Sequence, residues 1–168
     1  MKEFFRYLMV NQVSPELKDF AHTWLSNPII ELLEDSIYED HNAILTTLYR
    51  TEKYNVELFV TKPNVIVPIH KHPGIESYDK YLFGSGTVLV GDNANNLYKL
   101  QVPNRRDIFW LTANTWHSVI TEDKAVGFLT FQKWNTTPTH VSHDWIDING
   151  NTAPTDGRKN ESININNM

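Results

Sequence analysis

From residue 43 to residue 134 the sequence alternates short segments rich in β-branched and aromatic residues with turn signals, and no helical stretch interrupts them. The segments fall at 44–50, 54–61, 65–69, 78–83, 87–90, 97–102, 107–111, 116–120 and 125–134. Lys62-Pro63-Asn64, Gly84-Ser85-Gly86 and Gly91-Asp92-Asn93 separate some of them, and Gly84 and Gly86 read as a tight turn between strands. Branched and aromatic side chains suit a pleated, half-buried surface. Many short strands at near-regular spacing without intervening helices predict an all-β sandwich or barrel.

The flanks read differently. Ser14, followed by Pro15 and Glu16, has the form of a helix N-cap with proline at the first helical position and an acid in the first turn. Leu17, Phe20, Ala21, Trp24 and Leu25 then recur at helical spacing and form one apolar face. Asn27-Pro28 repeats the start signal, and Ile29, Ile30, Leu32, Leu33 and Ile37 predict a second short helix. Residues 1–42 are therefore expected to be a helical segment packed on a sandwich or barrel of residues 43–147. From about Ile148 the chain turns to Asn, Thr, Gly, Asp and Ser, too polar to bury a core, so 148–168 read as a flexible tail.

Composition narrows the function classes. The chain has 168 residues, a single domain's worth, and its 40% hydrophobic and 12% aromatic content is too high for a disordered protein. A net charge of -5, with Arg105-Arg106 as the longest basic cluster, argues against a nucleic-acid partner. The N-terminal stretch lacks a small-residue cleavage site, and no run reaches the roughly 18 apolar residues of a spanning helix. A cytoplasmic protein with no membrane partner is expected. Absence of cysteine excludes disulfides, thiolate metal sites and thiol nucleophiles, which leaves the seven histidines as the side chains best suited to a transition metal.

Two places bring histidines into strands. His70 and His72 are two apart at the end of an apolar run, so side-chain alternation turns both imidazoles to one face. Such a pair chelates a divalent ion at little ordering cost, although two histidines at an exposed strand end would look the same. The second place is DIFWLTANTWHSVI, where His117 follows a strand, the polar turn 112–115 and Trp116. Alone it reads equally as a hydrogen-bonded core histidine. His22 and His41 have no evident task. His140 and His143 lie in a Thr- and Ser-containing stretch, either as a solvated loop or closing over a barrel mouth. Trp110, Trp116 and Trp134 read as core.

Taken together, these segments resemble the cupin superfamily over roughly residues 43–135. His70, His72, Glu76 and Gly84 match the first cupin motif. Phe109-Trp110-Leu111, the following turn and His117 match the second, with Thr112 where proline is usual and Asn114 where glycine is. The resemblance implies a double-stranded β-helix (jelly-roll) barrel in which His70, His72 and His117 bind one divalent metal, with Glu76 as a fourth ligand. The spacing departs from the motif, however: counting back from Gly84 puts Ser77, not Glu76, at the ligand position. A one-residue slip turns a side chain to the other face, so only one of the two can face the metal.

HKHPGIESYDKYLFG is also similar to a stretch of the cysteamine and plant cysteine dioxygenases. That likeness implies a mononuclear Fe(II) dioxygenase acting on a small organic, thiol-bearing substrate with dioxygen, while Mn, Ni or Zn would serve other cupins. Three neutral imidazoles leave open positions for substrate and dioxygen on an octahedral Fe(II). Alternative readings are a metal-dependent isomerase or epimerase of a polar small molecule, or a non-enzymatic ligand-binding cupin. Three further residues are candidate catalytic groups. Asp79 would contact substrate or transfer a proton, or else sit exposed. Tyr81 would donate a hydrogen bond, or pack. Arg50, beside Tyr49 in a region loosely similar to the substrate-carboxylate arginine of cysteine dioxygenases, would clamp a carboxylate, or lie at the surface. The family resemblance makes a homodimer plausible.

Overall fold

The computed structural model describes residues 12–31, 37–40, 42–102, 108–135 and 145–152, with backbone only at 37–40 and 108–110. Helix α1 (Pro15–Ser26) starts where the sequence places it. Ser14 is the N-cap, with its hydroxyl accepting from the Leu17 N–H, and Leu17, Ala21 and Trp24 are buried along one face. Among the described residues nine strands follow: β1 (Ile37–Asp40), β2 (Ala43–Arg50), β3 (Tyr54–Thr61), β4 (His70–Lys71), β5 (Ile75–Gly91), β6 (Tyr98–Val102), β7 (Ile108–Leu111), β8 (Trp116–Trp134) and β9 (Ile146–Asp147). All pairings are antiparallel, along the path β1-β2-β3-β8-β4-β9, with β5 bonded to β6, β7 and β8. The all-β class holds. No helix among the described residues is long and apolar enough to cross a membrane.

Several expectations give way. Among the described residues there is no second helix: 28–31 make no helical turn, and Ile37 begins β1. The Glu31 N–H donates to the Leu48 carbonyl at 2.7 Å, so the edge of β2 supplies the partners a short helix would have made internally. The sheet thus begins inside the segment read as helical. Nor do Gly84 and Gly86 reverse the chain. The segments 78–83 and 87–90 are one strand, β5, with register shifts at 81–83 and 84–86 against β8. Gly84 has φ +93°, and a Cβ there would lie 1.8 Å from the Ala125 carbonyl oxygen; one on Gly86 would lie 2.5 Å from that of Ile120. These glycines let β5 bend while β8 stays close.

Leu32, Leu33, His41, Arg105, Arg106, His140, His143 and the tail beyond Thr152 lie outside the described residues. Residues 146–152 close a short hairpin, with Ile146 bridged to Thr152.

Two apolar clusters lie on opposite faces of the sheet. On one, Val56, Tyr78, Leu129 and Phe131 pack against Val13, Leu17, Ala21 and Trp24 of the helical segment. On the other, Val67, Val88, Val102, Val119, Val126 and Phe128 pack together. Phe128 alternates with Leu129 on β8, so both faces of that strand are buried, as in a barrel wall covered from outside by a helix. Trp134 is buried against Ile75. Trp116, expected in the core, is only partly buried, and the Lys71 ammonium lies 4.9 Å from its ring centroid.

Candidate metal centre

Strand pairing assembles the histidines. β4 is hydrogen-bonded to β8 with His70 opposite His117. His72 follows β4 by one residue, and its carbonyl accepts from the Asn114 N–H at 3.1 Å, so the turn carrying the second motif is stitched to the first. That turn is closed by the Thr115 N–H on the Thr112 carbonyl (3.0 Å) and by the paired hydroxyls of Thr112 and Thr115 (2.8 Å). Asn114 has φ 66°, which explains how asparagine serves where the motif has glycine: it tolerates the left-handed conformation.

The three imidazoles each offer a nitrogen within 4.8 Å of the others. Ring centroids are 4.2 Å apart for His70 and His117, 5.0 Å for His70 and His72, and 5.3 Å for His72 and His117. The Nδ1–H of His70 donates to the Pro68 carbonyl at 2.6 Å, and that of His117 to the Thr115 carbonyl at 2.9 Å. A carbonyl only accepts, so each ring carries its proton on Nδ1 and Nε2 is the nitrogen that would bind a metal. Burial pushes His117 down to about 3, and His72 beside it acts in the same direction. A neutral imidazole is the form a metal requires. The donor set fits one divalent ion.

Glu76 is not brought to this group. Its carboxylate accepts from the Ser14 N–H at 3.1 Å and from the Ser14 hydroxyl, and Lys133 Nζ donates to it at 3.3 Å. It therefore faces the helical segment, on the side of Tyr78. Ser77 and Asp79 fall on the opposite face by alternation, with Tyr81, which packs against the inner cluster holding Val119 and Phe128. His117 is two residues from Val119 and shares that inner side. The register counted from Gly84 is the one adopted.

The inner face also holds a buried polar lining that sequence reasoning missed. Asn55 Nδ2 donates to Gln132 Oε1 at 2.9 Å, and Gln132 Nε2 donates to Glu57 Oε2 at 3.3 Å. Arg50 Nε reaches Asn55 Oδ1 at 3.2 Å, and its Nη2 reaches the Thr47 hydroxyl at 3.3 Å. Asp79 is buried, and desolvation raises it to about 7, against the opposing hydrogen bond from Thr130; the Glu57 charge adds to the rise. The Tyr81 hydroxyl donates to the Gly84 carbonyl at 2.7 Å, which ties it to the bend of β5. In sequence, Asn55 and Glu57 alternating with Val56 and Leu58 look like a strand with one wet face. Only the helix over Val56 shows that the polar face is the inner one.

The PCO_ADO family model matches residues 16–124. Solved structures similar to the chain include CapF of Staphylococcus aureus (TM-score 0.52, 16% identity, 70% of this chain and 34% of that one). A Bacillus halodurans protein gives TM-score 0.51 and 20% identity over 67% of this chain and 85% of its own. The oxalate decarboxylase of Lactobacillus farciminis, as its formate complex, gives 0.52 and 16% over 67% and 33%. The chain thus spans about a third of the length of CapF and of the decarboxylase. At these identities the likeness is one of fold, that of the cupin barrel. No curated protein matches the sequence.

Proposed function

The chain belongs to the PCO_ADO family, the cysteamine and cysteine dioxygenases of cupin fold, and we propose that it holds one Fe(II) on His70, His72 and His117 and oxidises the sulfur of a small thiol with dioxygen. The observation that carries this reading is the all-histidine donor set, with the motif's carboxylate turned away to Ser14 and Lys133. Three neutral ligands would leave a ferrous ion room for a thiol and dioxygen, and the ion would supply the redox chemistry that joins them.

The chain's own groups do the rest. Pro68 and Thr115 hold the rings of His70 and His117 in one tautomer through Nδ1. Asp79, raised to about 7, is suited to exchanging a proton with a thiol near neutral pH. Arg50 is exposed and reaches the inner polar lining through Asn55, which supports a role in holding a polar substrate tail. Tyr81 forms wall rather than donor, since the Gly84 carbonyl takes its hydroxyl. Balanced, the reaction adds both atoms of dioxygen to a thiol and yields the sulfinic acid, with no external reductant.

Purified protein is expected to contain one iron per chain and to consume oxygen stoichiometrically with cysteamine or cysteine. An isomerase would consume none. Failure to retain any transition metal on reconstitution, or full metal affinity in His72→Ala, would overturn the assignment.

A further inference from the structure

His70 has a neighbour that neither histidine motif contains. Trp145 is buried, and its ring stacks on that of His70 with centroids 5.5 Å apart and planes at 28°. The next two residues form β9, which pairs with β4 so that Asp147 lies opposite His70 and Ile146 opposite Lys71. β4 is only two residues long, so His70 is held between His117 on one side and Asp147 on the other.

The segment behind Trp145 is closed on itself. Asp147 Oδ1 accepts from the N–H groups of Asn149 and Asn151, each at 2.8 Å, and its Oδ2 accepts from Asn151 Nδ2 at 2.8 Å. The Asp147 N–H donates to the Asn151 carbonyl at 2.9 Å, and the Gly150 N–H to the Asp147 carbonyl at 3.0 Å. Gly150 supplies the positive φ, +81°, that the turn needs.

We propose that residues 145–152 are a clasp for the metal site, with Trp145 the positioning residue that fixes the ring plane of His70. The second side-chain torsion of histidine is broad and roughly two-fold, so one hydrogen bond through Nδ1 leaves the ring room to rock. A stacked indole removes that freedom and keeps water off the same ring face. The matched family region ends at residue 124, so the clasp is a feature of this chain outside that region. The inference rests on metal binding by His70, His72 and His117 as proposed above.

Co(II), whose visible absorption reports both affinity and coordination geometry, is the probe. Trp145→Ala is expected to weaken Co(II) binding about 10-fold and to change the absorption spectrum at saturation, whereas Trp145→Phe, which can still stack, stays within about 3-fold with the wild-type spectrum. Asp147→Ala, which keeps the Trp145 side chain but opens the turn that holds it against His70, weakens binding in the same direction. Wild-type affinity and spectrum in folded Trp145→Ala overturn the clasp. Should that variant fail to fold by circular dichroism, wild-type affinity and spectrum in Asp147→Ala overturn it instead. If wild-type protein itself binds no Co(II), the metal assignment falls, an outcome distinct from failure of the clasp alone.

Discussion

Glu76 and Ser77 are neighbours in sequence on opposite faces of β5, and that parity sets the charge of the site. Glu76 serves the helix N-terminus, where a carboxylate on the N-cap N–H and a lysine is well placed. Glu76→Ala is expected to destabilise the protein by about 1–3 kcal/mol in urea unfolding with no change in bound metal per chain. Loss of metal together with stability would return Glu76 to the ligand set. Asp79 makes a second residue-scale prediction. Its folded value of about 7 lies above the ordinary 3.8, so it favours the fold fully below 3.8, and that contribution is lost as pH rises through about 7. Asp79→Asn should match wild type at pH 4 within about 1 kcal/mol and exceed it at pH 8 by roughly 2–4 kcal/mol in the metal-free protein. His117, lowered to about 3, works oppositely, giving stability above 6.5 that is lost as pH falls toward 3, and it cancels in the comparison.

At the scale of elements, the α1 start and most strand segments are legible because local rules decide them. The Ser14-Pro15-Glu16 cap and the turn at Lys62-Pro63-Asn64, where Asn64 has φ 55°, are where the residue types put them. What local rules cannot say is whether two strand segments are separate or one bent strand. Gly84-Ser85-Gly86 carries a turn signature, yet the approach of the Ala125 and Ile120 carbonyls makes it a bend in β5. Gly84→Ala is expected to lower the unfolding free energy by at least about 2 kcal/mol, since it combines a positive φ with a backbone clash. An unchanged melting temperature would show that β8 can move aside. At 28–31, where a second helix is expected and none forms, Ile29 and Ile30 are 49% and 57% exposed, so these side chains have no apolar face to pack on.

For the molecule as a whole, the metal site ties strands distant in sequence, β4 and β8, and through β9 the C-terminal hairpin. A ligand that binds only the folded state stabilises it by about 2.7 kcal/mol at a hundred times its dissociation constant. Saturating Fe(II) under anaerobic conditions should therefore raise the unfolding free energy by at least that amount. A strong chelator should reverse the gain, and His72→Ala should abolish it. Equal stability with and without metal would mean that the three imidazoles do not share an ion.

The all-β class, the capped helix before it and the three histidines are readable from the residues alone, because strand alternation, cap chemistry and the two motifs are each encoded within a few positions of the chain. The face of Glu76 is not, since its parity depends on how many residues the loop after His72 takes up. Nor is the inner lining of Asn55, Glu57 and Gln132, which is buried although a helix already covers the other side of β3 and β8, so that which face turns inward is decided by packing. Trp145 is the extreme case. Nothing nearby in sequence marks it, and only the pairing of β9 with β4 lays its ring on His70. Which polar side chains share a centre is a matter of long-range strand pairing and burial, and those are set by the packed sheet rather than by any short stretch of chain.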